Sequence, residues 1–149
     1  MLVKEIMSRK PVTLHSRDTL EKTVRVFAKH RISGCPVVDS RKHVVGIIAN
    51  TDVLRVIDAQ GRILKENEDL LSVVLGFLKG DAKTALKKIL KSPVRKHMVR
   101  DVVVVAPEDD IANAVSMMNQ RDIERLPVVS KGRLVGIISR KDVMRFLEK

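Results

Sequence analysis

Two aspartates, Asp52 and Asp142, hold equivalent places in a chain that repeats itself. A carboxylate pair invites an acid–base reading. Equivalent places in a repeat suit two binding sites better than one catalytic pair. Ser139-x-x-Asp142 sets a hydroxyl and a carboxylate three residues apart. That spacing is also a helix capping box, in which both side chains satisfy free backbone N–H groups at a helix start. Arg125 carries a planar guanidinium suited to bidentate phosphate contact, and it serves equally as a solvated surface charge. His15, His30, His43 and His97 are scattered, with no Cys or carboxylate at metal-ligand spacing, so no metal site is expected. There is no Walker loop, no GxGxxG after a strand, no nucleophile elbow and no HExxH. The expectation is a binding protein, not an enzyme, with no catalytic residues and no catalytic cofactor.

The elements that would position these residues come in two copies. The stretch Val3 to Ile57 returns as Val94 to Leu147, with one gap in the turn between Val38 and Val45. Ile32 to Val38 matches Ile123 to Val129, Val45-Gly46-Ile47-Ile48 matches Val135-Gly136-Ile137-Ile138, and Asp52-Val53 matches Asp142-Val143. Self-similar units usually bury their apolar faces against one another. Two copies in 149 residues suggest one pseudo-symmetric module with paired grooves. Val12 to Leu14 and Val102 to Val105 read as short strands. Helices follow, starting at Asp18 or Thr19 in the first copy, with apolar stripes Leu20, Val24, Phe27 and Ile111, Val115, Met118. Cys35 to Val38 and Leu126 to Val129 read as strands whose Pro36 and Pro127 either demote them to an edge or fix their first residues. Tight turns at Asp39 to His43 and Ser130 to Arg133 lead to return strands, and a last helix begins near Asp52 and Asp142.

Between the copies, Leu70, Leu71, Val74, Leu75 and Leu78 suggest one amphipathic helix, and Ala85, Leu86, Ile89 and Leu90 a second, stopped by Pro93. This insert is too apolar for a flexible linker. It reads as a connector packed on the module or as part of a partner surface.

No apolar run approaches the ~20 residues of a membrane span, and no signal-peptide pattern opens the chain. The single Cys35 excludes an intramolecular disulfide, so a cytoplasmic setting is expected. Cys35 itself reads as a small buried side chain, and the six methionines as core filler. The net charge of +11 is spread along the chain and favours anionic partners without naming one.

The repeat unit resembles the CBS domain, named after cystathionine β-synthase, and the tandem pair resembles a Bateman module. The residues that carry the likeness are Ile6-Met7 with Pro11-Val12, then His30 to Asp39, then Gly46-Ile47-Ile48 through Asp52-Val53. In the second copy they are His97-Met98, Ile123 to Val129, and Gly136 to Ser139 through Asp142-Val143. The resemblance implies an α/β (α+β) fold of two β-α-β-β-α repeats packed as one module. Repeat 1 would span 1–60, a helical connector 61–93 and repeat 2 94–149. It implies a regulatory role through adenosine-containing ligands: AMP, ADP, ATP or S-adenosylmethionine.

Position by position, the resemblance gives two sites. The first joins Ser139, Arg140, Lys141 and Asp142 with Val12, Ile32, Ser33, Gly34 and Pro36. There Asp142 would take the ribose hydroxyls, Val12 and Ile32 the base, and Arg140 and Lys141 the phosphate. Gly34 would let the adenine approach its backbone closely. The second joins Asp52 and Thr51 with Val103, Ile123, Glu124, Arg125 and Pro127. It departs from the family at Ala49, where a hydroxyl is expected, so the Asp142 site is the more complete. The resemblance also implies a homodimer, formed through helices near Val53-Leu54-Val56-Ile57 and Val143-Met144-Phe146-Leu147, and a separate effector protein. The alternative is a nucleic-acid-binding or scaffolding module that uses the basic surface. Three Phe and no Trp or Tyr leave that alternative without the usual base-stacking platform.

Overall fold

The computed structural model describes residues 1–64 and 83–149. The helix expected over Leu70 to Leu78 lies outside them. A short helix α1 (Val3–Ile6) opens the chain, followed by β1 (Leu14–His15), α2 (Leu20–His30), β2 (Gly34–Val38), β3 (Val44–Ala49) and α3 (Asn50–Leu64). The connector contributes α4 (Lys83–Leu90), and a single 3-10 turn covers Val94–Lys96. The second copy supplies α5 (Ile111–Gln120), β4 (Arg125–Ser130), β5 (Arg133–Ser139) and α6 (Arg140–Leu147). No described helix is long and apolar enough to cross a membrane.

Local sequence accounts for most of these boundaries. Thr19 caps α2 by accepting from the Lys22 N–H, and Asp110 caps α5 by accepting from Ala112. The β4–β5 hairpin turns through Lys131 and Gly132, both at positive φ, the two-residue turn whose twist matches paired strands. The β2–β3 turn is held by Asp39, whose Oδ1 accepts from the N–H groups of Arg41 and His43 at 2.9 Å each.

The buried helical stripe differs from the expected one. Leu20, Thr23 and Phe27 are buried, whereas Val24 is 43% exposed. Thr23 tolerates burial because its hydroxyl donates to the Thr19 carbonyl at 3.0 Å. In α5 the matching positions are Ile111, Ala114 and Met118, with Ala114 and Met118 fully buried.

The first strands are shorter than β-branched content suggests. The parallel ladder of β1 on β2 holds only Leu14↔Val37 and His15↔Val38. In the second copy it shrinks to one bridge, Val105↔Val128. There Val105 donates to the Pro127 carbonyl (3.0 Å) and accepts from Val129 (2.8 Å). Pro127 has no N–H to extend that ladder toward Val103, and Pro36 holds the matching place. The prolines therefore do not demote β2 to an edge, since β2 is the middle strand of β1-β2-β3. They stop the parallel pairing and leave the segments before Leu14 and Val105 unzipped.

The two repeats are interlocked through their opening segments. Val3 is buried in the core of the second repeat, with Val105, Ala114, Met118, Leu126, Val128 and Ile138. Val94 is buried in the core of the first, with Leu14, Leu20, Phe27, Cys35, Val37 and Ile48. The exchange is reciprocal down to hydrogen bonds. Val94 donates to the Asp18 carbonyl at 2.7 Å, and Val3 to the Asp109 carbonyl at 2.9 Å. Ile47 and Val99 exchange both backbone hydrogen bonds, as do Ile137 and Ser8. Gly46 and Gly136 are required here because Met98 and Met7 lie directly over them. The connector joins this packing through Ile89 and Leu90, which rest against the first core.

Gly136→Ala is the sharpest probe of the interlock. A Cβ there would sit 2.7 Å from Met7 Sδ and 2.9 Å from the Ser8 carbonyl oxygen. The carbonyl cannot retreat without breaking its bond from Ile137. The substitution should cost about 1–3 kcal/mol in urea unfolding. An unchanged midpoint would show that the segment is free to move.

Candidate functional site

Each opening segment must return to its own repeat, and a cleft lies at each return. Residues 8–12 lead from the bridge at Ile137 back to β1, and residues 99–103 lead from the bridge at Ile47 back toward β4. The first cleft, about 520 Å³, is lined by Ser8, Lys10, Pro11 and Val12 on this floor, then by Arg31 to Gly34 and by Ser139, Lys141 and Asp142. The second, about 340 Å³, has Val99, Asp101, Val102 and Val103 in the same roles, with Asp122 to Arg125 and Ala49, Thr51 and Asp52. Glu124 and Arg125 line both.

In the first cleft, Ser139 and Asp142 form the capping box at the start of α6. Asp142 Oδ2 accepts from the Ser139 N–H at 2.8 Å and from its hydroxyl at 2.6 Å. No hydrogen bond from a described residue reaches Oδ1. The carboxylate is fixed by one oxygen and retains acceptor capacity on the other. In the second cleft, Asp52 caps α3 in the same way, accepting from the Ala49 N–H at 2.8 Å. Its Oδ1 is taken by Arg55 at 3.1 Å, and Asp52 is almost fully buried. One carboxylate is open and the other is engaged on both oxygens.

Arg125 lines both clefts, the expected second one included. Its guanidinium reaches across to the first repeat, where it donates to Ser33 Oγ at 2.6 Å and fills the space over Gly34. Gly34 therefore makes room for the Arg125 guanidinium. Burial lowers the Arg125 pKa, against the opposing pull of Glu124. The expected residues Val12, Ile32, Ser33, Gly34, Ser139, Lys141 and Asp142 meet in the first cleft, and Asp52, Thr51, Val103, Ile123, Glu124 and Arg125 meet in the second.

Three expected residues lie elsewhere. Pro36 and Pro127 are buried in the strands. Arg140 turns toward the end of α5, donating to the carbonyls of Met118 and Ile123 and pairing with Asp122 at 3.3 Å. It locks α5 to α6 and stands outside the cleft. Sequence reasoning missed the floors, Ser8 to Pro11 and Val99 to Val102, and also Arg31, Arg55, Asp101 and Asp122. The unpaired stretch before each parallel bridge was their only signal.

Burial pushes the Cys35 thiol up to about 12, so it is a protonated core side chain. Among the described residues, no three His, Cys, Asp or Glu side chains gather as a metal would need.

Comparison with known proteins follows the same lines. The model of the CBS domain family matches residues 3–59 and 94–149. An uncharacterized protein of Methanocaldococcus jannaschii is 36% identical over 99% of this chain and 91% of its own length. The solved CBS domain of a CBS domain containing membrane protein from Sphaerobacter thermophilus is 29% identical, with a TM-score of 0.75 over 97% of this chain and 86% of that one. The CBS domain pair of protein MJ0100, solved in complex with 5′-methylthioadenosine and S-adenosyl-L-methionine, is 25% identical, with a TM-score of 0.71 over 99% of this chain and 96% of that one.

Proposed function

The chain belongs to the CBS domain family, and from that premise we propose that it is a regulatory module that senses adenosine-containing ligands in the clefts between its repeats. The observation that carries this reading is Asp142: a half-buried carboxylate with one oxygen fixed by its own helix and the other unclaimed, at the wall of a cleft large enough for a nucleoside. A ribose diol would donate to that carboxylate, at about 1.5–3 kcal/mol per charge-assisted bond when dry. Val12 and Ile32 supply apolar faces for a base, and Lys10, Arg31 and Lys141 supply donors for phosphate. The MJ0100 pair, with its two adenosine-class ligands, supports the same ligand class here. Signalling would follow from a change in how the interlocked repeats sit together, read by a separate effector protein.

Asp142→Ala should remove most of the thermal stabilisation that AMP gives, and Asp52→Ala should remove less. Binding to the native state adds roughly 2.7 kcal/mol at one hundred times the dissociation constant, so a thermal-shift series resolves the difference. Equal losses in the two variants would contradict the ranking of the clefts. Failure of AMP, ATP, adenosine and S-adenosylmethionine to shift the wild-type protein would overturn the adenosine reading.

The active unit is a homodimer in this reading. Leu54 (59%), Met144 (65%) and Leu147 (70%) are exposed at equivalent helices of the two repeats, with Ile57 and Phe146 beside them. Large apolar side chains so grouped favour association, and a two-fold arrangement buries the same stripe on both subunits. Light scattering at micromolar concentration should give twice the chain mass of 16.7 kDa. A monomer mass, with and without AMP, would exclude the dimer.

A further inference from the structure

The two clefts are built on equivalent positions, yet the charges at those positions are opposed. Lys10 on the floor of the first cleft corresponds to Asp101 on the floor of the second. Arg31, at the left-handed residue that ends α2 (φ 52°), corresponds to Asp122 (φ 51°). Ser33 corresponds to Glu124, and Lys141 to Thr51. The shared Glu124 and Arg125 offset each other, and Arg125 is already committed to Ser33 on the side of the first cleft. Beyond the shared pair, three bases face one acid in the first cleft, and Arg55 alone faces Asp52, Asp101 and Asp122 in the second. Arg55 is itself paired with Asp52, and Asp122 has Arg140 at 3.3 Å while staying almost fully exposed. Asp101 is left with no basic partner among the described residues.

We propose that the clefts divide adenosine ligands by charge: the Asp142 cleft takes phosphorylated nucleotides, and the Asp52 cleft takes an adenosine derivative whose tail is neutral or cationic, such as a sulfonium nucleoside. This rests on the adenosine reading above and deepens it. A phosphate placed in the Asp52 cleft meets like charge at Asp101 and Asp122. Like-charge juxtaposition excludes a wrong ligand more effectively than missing contacts do. A sulfonium or ammonium group meets favourable potential in that cleft and repulsion at Lys10, Arg31 and Lys141 in the other.

The test is isothermal titration of the full chain with AMP and with S-adenosylmethionine, in wild type, Asp142→Asn and Asp52→Asn. AMP affinity should fall at least about tenfold in Asp142→Asn and stay within about threefold in Asp52→Asn, with S-adenosylmethionine showing the reverse. A gain-of-function variant guards against loss through misfolding. Asp101→Lys with Asp122→Asn changes two exposed side chains, and Asn tolerates the left-handed backbone at 122. It should create a second AMP site that the wild type lacks. AMP filling the Asp52 cleft of the wild type as tightly as the Asp142 cleft overturns the division alone. An absence of binding by either ligand overturns the division together with the adenosine reading.

Discussion

The reciprocal exchange of opening segments is the constraint on which the rest depends. Val3 and Val94 are each buried in the core of the other repeat. Burying such a side chain is worth about 1.5–3 kcal/mol, and neither repeat keeps that contribution if the two separate. The exchange also decides where open space remains. A segment that leaves one repeat at residue 8 or 99 and joins the other only at Leu14 or Val105 must run unpaired between them. Pro36 and Pro127 keep it so by denying the ladder a donor. The clefts are thus what an interlocked pair of hairpins leaves unfilled beside its opening segments.

On that scaffold the helix starts place their capping side chains in the clefts. A capping box needs a carboxylate at the third helical position to reach back to its own N-cap. In both repeats the bond from the N–H of Ala49 or Ser139 fixes the aspartate in the wall of a cleft. The capping and ligand-binding readings of Ser139 and Asp142 are therefore compatible, since the cap uses Oδ2 and no described residue donates to Oδ1. Ala49 shows what changes without the hydroxyl. Asp52 keeps its backbone bond but turns its second oxygen to Arg55. The same scaffold then yields two clefts of unlike charge, because pseudo-symmetry repeats backbone positions without constraining exposed side chains.

Much of this was legible in the sequence, because the repeat doubles every signal. The hairpins, the cap at Ser139, a helix start at Asp18 or Thr19, and the order of elements follow from local chemistry stated twice. The burial of Thr23 in place of Val24 was not legible, since it depends on which side of α2 meets the sheet. The route of the opening segments was hidden for a related reason. Val3 and Val94 are ordinary apolar residues, and nothing local says whose core they enter. Arg125 lines the second cleft as its repeat position suggests, but its bond to Ser33 was not legible, because that contact joins residues far apart in the chain. The reversal from Lys10 to Asp101 and from Arg31 to Asp122 stood in the sequence throughout. It gains meaning only when the floors of the clefts are known.

The central claim is that the unclaimed oxygen of Asp142 receives a ribose in the cleft floored by residues 8–12. A crystal structure of the protein grown with AMP addresses it directly. The account predicts the ribose hydroxyls on the Asp142 carboxylate, the base between Val12 and Ile32, and the phosphate among Lys10, Arg31 and Lys141. AMP bound with its ribose away from Asp142, or seated only in the Asp52 cleft, would contradict it.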